Sequence, residues 1–256
     1  LLSFNTDQTP DCRHLIRFAS ENGHLEVVRF LVERGADVTA WDNYSVRYAA
    51  LYGHLEVVRF LVERKADVNI GESPVRSALQ CASENGYLEI VRFLVSAGAD
   101  VGAQNNIALQ RTAIAGHLEV VKLLVELGAD VTADNNGALI HSAYRGQLDL
   151  VQFLVEAKAD ITARDNHVFF EACCNGHVHI AQYILSQGVD VAVDNNHAIV
   201  CAARRGRLEM VQYLVSQRAN IVVDSNYPVR VAILNGHLDV VKFIVEHVGC
   251  DEALRD

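Results

Sequence analysis

Gly23-His24-Leu25-Glu26-Val27-Val28 runs on into Arg29-Phe30-Leu31-Val32-Glu33-Arg34-Gly35-Ala36-Asp37-Val38, and the same line recurs down the chain. Counterparts of Gly23 stand at Gly53, Gly86, Gly116, Gly146, Gly176, Gly206 and Gly236, in steps of 30, 33, 30, 30, 30, 30 and 30 residues. A fixed period of about 20 to 50 residues marks a stacked repeat array, whose units cannot bury their apolar faces alone. The 256 residues therefore count repeats rather than separate domains.

The repeat ending near Val155 shows how one unit reads. Ala138, Leu139, Ser142 and Ala143 recur at helical spacing and predict a short first helix with a small-residue face. Gly146 stops it, because glycine takes the left-handed conformation past a helix end without a Cβ penalty. Leu148, Val151, Phe153, Leu154 and Val155 predict the apolar side of a second helix. Ala159-Asp160-Ile161-Thr162 leaves that helix, and Asp165-Asn166 turns the chain into the next unit. Ala49, Ala82, Ala113, Ala143, Ala172, Ala202 and Ala232 form a column that lets neighbouring helices approach closely.

Half the residues are hydrophobic and three are proline, which describes a folded chain. The formal net charge of −10 argues against nucleic acid and anionic membrane as partners, since both attract basic surfaces. No stretch approaches the ~18 unbroken apolar residues of a membrane span. Leu1-Leu2-Ser3-Phe4 lacks the charged start and apolar core of a signal peptide, and without an initiator Met the sequence reads as an excerpt of a longer protein. None of the six cysteines forms a Cys-x-x-Cys pair, so reduced thiols and a cytoplasmic setting are expected.

The order helix, glycine turn, His-Leu-Glu-Val-Val helix, then Gly-Ala-Asp-Val resembles the ankyrin repeat family, from about Asp11 to Val248. The resemblance implies an all-α solenoid of about eight stacked helix-turn-helix units with short connecting fingers. One domain over 1–256 is expected, with units near 11–40, 41–70, 71–103, 104–133, 134–163, 164–193, 194–223 and 224–256. The family's usual period is 33, a length that only the unit containing Ser77-Ala78-Leu79-Gln80 has here. The family's Thr-Pro-Leu-His signature is also absent, its histidine position holding Arg17, Arg47, Gln80, Gln110, Ile140, Phe170, Val200 and Arg230. Asn43, Asn106, Asn136, Asn166, Asn196 and Asn226 stand just before the first helix and are expected to cap it. The short repeat style is similar to ankyrin arrays of giant amoeba viruses, Asp42-Asn43-Tyr44-Ser45-Val46-Arg47 being the closest stretch, which would place the protein in host cytoplasm.

Three columns vary freely in size and charge, and that freedom predicts exposure. One runs Glu21, Leu51, Glu84, Ile114, Tyr144, Cys174, Arg204, Leu234; the next runs Asn22, Tyr52, Asn85, Ala115, Arg145, Asn175, Arg205, Asn235. The third runs Phe18, Tyr48, Cys81, Arg111, His141, Glu171, Cys201, Val231. In ankyrin proteins such positions line the concave groove and fingers where partners bind. Trp41, Tyr44, Tyr48, Leu51 and Tyr52 concentrate aromatic anchors in the second unit. Tyr144, Arg145, Arg204, Arg205 and Arg207 make a basic group, to be met by an acidic partner or paired with nearby carboxylates. With Arg111, Ile114 and Leu234, these positions (Arg207 aside) are the candidate partner-binding residues.

His24, His54, His117, His177 and His237 recur one per unit, too far apart to share a metal, so a structural role at the glycine turn is expected. His14, His167 and His197 share another column, where a bridging metal is a remote alternative. No phosphate loop or nucleophile elbow appears. The reading is a monomeric, non-catalytic protein-interaction scaffold with no cofactor, no metal, and neither nucleic acid nor membrane as partner. Two alternatives stand beside it: the recognition part of a ubiquitin-ligase adaptor with an F-box-like segment elsewhere, and a structural spacer. Phe4, Leu15 and Ile16 at one end, and Cys250-Asp251-Glu252-Ala253-Leu254 at the other, leave open whether the end units are true caps.

Overall fold

The computed structural model describes residues 12–70 and 76–249, with side chains from His14 onward; Phe4 and the 250–254 tail lie outside the described residues. Among the described residues the chain forms sixteen α-helices and no strand. It divides into two compact units, Leu1–Asp130 and Val131–Asp256. The first holds α1 (Cys12–Glu21), α2 (Leu25–Glu33), α3 (Ala40–Leu51), α4 (Leu55–Glu63), α5 (Ala78–Glu84), α6 (Leu88–Ser96), α7 (Ala103–Ala115) and α8 (Leu118–Glu126). The second holds α9 (Ala133–Arg145), α10 (Leu148–Glu156), α11 (Ala163–Asn175), α12 (Val178–Ser186), α13 (Val193–Arg204), α14 (Leu208–Ser216), α15 (Val223–Leu234) and α16 (Leu238–Val248).

Within each unit consecutive helices pair, and the pairs stack. The odd-numbered helices pack side by side in one layer and the even-numbered helices in another. The alanine column is what allows the close odd-helix layer: Ala49, Ala82, Ala113, Ala143, Ala172, Ala202 and Ala232 are all fully buried. The even helices contribute Leu61, Leu94, Leu124, Leu154, Ile184 and Leu214, also fully buried. No helix among the described residues is long and apolar enough to cross a membrane.

The Gly-His phrase is explained by stacking. Gly23, Gly86, Gly146 and Gly206 all have positive φ, and a Cβ on any of them would fall within 2.5–2.7 Å of an imidazole atom of His54, His117, His177 or His237 respectively. The imidazole of one repeat thus lies on the bare glycine of the repeat before it. Its Nε2 then reaches the end of that repeat's first helix, 2.9 Å from Glu21 O, 3.1 Å from Glu84 O, 3.0 Å from Tyr144 O and 2.9 Å from Arg204 O in the four cases. A carbonyl left orphaned at a helix C-terminus gains a donor, and adjacent repeats are pinned. Tyr87 fills the same seat over Gly53, and Arg207 over Gly176.

The shortened connection is a single left-handed turn. Trp41-Asp42-Asn43, Gln104-Asn105-Asn106, Asp134-Asn135-Asn136, Arg164-Asp165-Asn166, Asp194-Asn195-Asn196 and Asp224-Ser225-Asn226 all have φ between 49° and 64°. Three successive L-residues there cost about 1–2 kcal/mol each, less for Asn and Asp, whose short polar side chains bond locally. Four of the six column asparagines offset that cost by a bond other than the expected N-cap. Asn43, Asn106, Asn136 and Asn196 each accept, through Oδ1, the backbone N–H 24 residues later, at 2.7, 2.8, 2.7 and 2.7 Å. Each therefore ties the entry of its repeat's first helix to the exit of its second. Arg47 Nε donates to Asp42 O at 2.9 Å, and Gln110 Nε2 to Asn105 O at 2.9 Å, so two residues at the family's histidine position hold turn carbonyls. The 33-residue unit starts α5 on a Ser77–Gln80 capping box instead of on an asparagine.

Candidate partner-binding surface

The aromatic group forms a strip along α3, in which Tyr44, Tyr48 and Tyr52 follow i, i+4 spacing and Trp41 joins from the left-handed turn. Trp41 and Tyr44 meet edge to face at 6.4 Å, Tyr44 and Tyr48 stack at 3.7 Å, and Tyr48 and Tyr52 tilt together at 6.2 Å. The Arg17 guanidinium from α1 lies over Phe18, Trp41 and Tyr44 at 4.5, 5.5 and 5.1 Å. Arg47 also approaches the Tyr44 ring, at 5.6 Å. Burial, then the hydrogen bond with Tyr48, push the Tyr44 phenol up, so it stays a neutral donor. Trp41 at 38% and Tyr52 at 47% exposure bracket the half-buried Tyr44, Tyr48 and Leu51. The strip is thus an ordered amphipathic edge whose two ends face solvent.

Arg111 is not a free cation. Its Nη1 lies 3.3 Å from Glu84 Oε2, which Arg76 also approaches at 2.8 Å. Ile114, a turn further along α7, is half-buried. In the second unit Tyr144 is 48% exposed and Arg145, Arg204 and Arg205 are exposed. Those three arginines form no ion pair among the described residues, so the expected carboxylate pairing is not seen there. Arg207 leaves the basic group, since it covers Gly176 and directs Nε at Cys174 O, 3.5 Å away. Leu234, at the end of α15, is 81% exposed.

The variable columns prove less uniform than free variation suggests. In the Phe18 column, Cys81, Cys201 and Val231 are buried, because this position faces the odd helix of an adjacent repeat. Size and charge vary there because the partner varies too: Arg111 meets Glu84, and Cys201 meets Cys174. In the Asn22 column, Asn22, Asn85, Asn175 and Asn235 donate to the carbonyl four residues earlier at 2.8, 2.8, 2.8 and 2.7 Å. Asn immediately before Gly was the available signal for this helix-end role.

His14 stands edge-on to Trp41 at 4.4 Å, and His167 Nε2 lies 3.1 Å from Glu171 Oε1. His197 Nε2 lies 3.1 Å from Cys201 Sγ. Among the described residues, no group of three or more His, Cys, Asp or Glu is placed to hold a metal ion.

A search of curated proteins finds no match to the chain. A family model described as ankyrin repeats (3 copies) matches residues 1–72, 16–105, 79–165 and 168–256. Repeats of this kind are generally non-catalytic protein–protein interaction modules. With matches over nearly its whole length and stacked helix pairs in both units, the chain belongs to the ankyrin repeat family.

Proposed function

We propose that this chain is a non-catalytic scaffold that binds a partner protein along the rims of its odd-numbered helices, as one array over 1–256. The observation that carries the reading is the α3 strip, an ordered row of aromatics whose Trp41 and Tyr52 ends remain in solvent. Trp and Tyr there offer large contact area with little left to immobilise, which limits the entropy lost on binding. Tyr44, Tyr48, Leu51, Arg111 and Ile114 complete the contact set in the first unit; Tyr144, Arg145, Arg204, Arg205 and Leu234 form it in the second. The reading includes a monomer in the cytoplasm without nucleic acid or membrane as partner, supported by the net charge of −10. Likeness to the short-repeat arrays of giant amoeba viruses belongs to the same reading, supported by the 30-residue steps.

The test is a quantitative pull-down from eukaryotic cytosol with the full chain beside Trp41→Ala/Tyr52→Ala, followed by titration of the purified partner. An anchor loss of ~2 kcal/mol corresponds to about 30-fold weaker binding at unchanged helicity. Equal retention of every captured protein by both baits would reject this face. Capture of a ubiquitin-ligase subunit would favour the adaptor alternative, and no specific capture the spacer.

A further inference from the structure

Three of the four cysteines with described side chains gather at one place in the second unit. Cys173 and Cys174 lie at the end of α11, and Cys201 lies on α13, packed against it. The register that sets Phe170 of α11 against His197 of α13 at 5.1 Å sets Cys174 against Cys201 one turn later, and the interaction of the two thiols is the largest influence on the acidity of each. Cys201 Sγ also lies 3.1 Å from His197 Nε2, one turn earlier on α13, and the edge of Phe170 packs on that imidazole at 5.1 Å. Arg204 and Arg205 follow within a turn of Cys201 and are exposed.

The repeat does not demand this arrangement. Cys174 and Cys201 are 27 residues apart, the separation of Glu84 and Arg111, which meet in the first unit as an ion pair at 3.3 Å. This is a position where side chains of successive repeats touch, and here alone two thiols occupy it. Cys174 is half-exposed and Cys201 is 7% exposed, so the pair opens to solvent from the Cys174 side.

We propose that Cys174 and Cys201 form a redox-active dithiol that reduces low-molecular-weight disulfides of the glutathione type and closes as a disulfide joining α11 to α13. A thiolate of the pair attacks one sulfur of the small disulfide, forming a mixed disulfide and releasing one thiolate. The second cysteine, giving up its proton, attacks the protein sulfur of that mixed disulfide and expels the other thiolate. The two departing thiolates take up the two protons, so two protein thiols and one small disulfide become one protein disulfide and two small thiols. The interaction with Cys174, together with Arg204 and Arg205, draws the Cys201 thiol down against its burial. That same interaction, then burial, push Cys174 up, so Cys201 is the more acidic thiol of the pair. Burial, the largest influence on each, pushes Cys81 up to about 11 and Cys173 well above the ordinary thiol range, and both serve as internal controls.

The experiment incubates the native full chain with oxidised glutathione, quenches with iodoacetamide, cleaves before aspartate (Asp165, Asp190 and Asp194 separate Cys173-Cys174 from Cys201) and maps the peptides by mass spectrometry without reduction. A linked peptide pair carrying Cys201 and the Cys173-Cys174 segment is expected, removed by dithiothreitol, with Cys81 alkylated only after unfolding. Cys173→Ala is expected to keep the link, and Cys174→Ala to lose it while trapping a glutathione adduct on Cys201. Circular dichroism on each variant separates loss of chemistry from loss of fold. The proposal is overturned if the folded wild-type chain yields no link at Cys201, or if the link survives Cys174→Ala.

Discussion

The glycine at each repeat turn has two separable duties, and Gly206 and Gly188 isolate them. Both have positive φ, +67° and +92°. A Cβ on Gly188 meets no described atom within 4 Å, whereas one on Gly206 would lie 2.5 Å from His237 Nδ1 and 2.7 Å from its Cγ. Gly188→Ala should therefore cost only the left-handed conformation, about 1–2 kcal/mol. Gly206→Ala adds displacement of the His237 ring and loss of its 2.9 Å bond to Arg204 O, another 1–2 kcal/mol, for a total of about 2–4 kcal/mol. His237→Ala alone should cost about 1 kcal/mol. In the double variant the ring is gone, so the clash vanishes and the total should fall at or below that of Gly206→Ala. The two substitutions then couple by at least ~1 kcal/mol. Urea unfolding followed by circular dichroism supplies the four midpoints, compared at unchanged slope. Equal costs for Gly188→Ala and Gly206→Ala, or strict additivity in the double variant, would refute the seat-and-ring account.

Other perturbations test the remaining contacts. Lys65, Lys158 and Arg218 occupy left-handed positions at φ 73°, 76° and 71°, so replacing each with glycine should raise stability by up to ~1 kcal/mol, seen as a higher urea midpoint. Asn136→Ala removes both a residue tolerant of φ +64° and the 2.7 Å bond from Asp160 N–H, and should cost about 2–3 kcal/mol; Asn136→Asp keeps the acceptor and should cost less. Leu154→Ala should destabilise by about 2–5 kcal/mol because its side chain is fully buried, whereas Trp41→Ala should cost much less stability and be felt in partner binding. Comparable loss of thermal stability in those two variants would mean that Trp41 belongs to the core.

Much of the fold was legible because stacking imposes a one-dimensional repeat on the sequence. The alanine column predicted the tightest packing positions, and all seven alanines are fully buried. The histidine column was legible as structural, but not its partner, since only stacking reveals that the imidazole of one repeat rests on the glycine of another. The asparagine column misled in detail. Asn is equally suited to an N-cap and to the left-handed region, and both place it just before a helix. What decides is the shortness of the connection: at 30 residues per step the chain reverses within three residues, and a left-handed turn does this while aiming Asn Oδ1 at the repeat's own exit loop.

The site was less legible, for a reason that bears on reading any repeat array from one sequence. Variation within a column predicts exposure only if a core position holds a constant volume. That premise fails where the neighbour across the stack is variable too. Arg111 and Cys201 occupy one column, and their partners Glu84 and Cys174 occupy another, each pair matched in chemistry but unlike the other pair. The informative quantity is therefore not the spread within one column but its pairing with the residue 27 positions earlier. Positions that vary without any such partner, as Tyr52 and Arg145 do at the exposed helix ends, are the ones where variation points to solvent and to recognition. By the same logic, a paired position that breaks from charge or bulk into two thiols points to chemistry rather than packing.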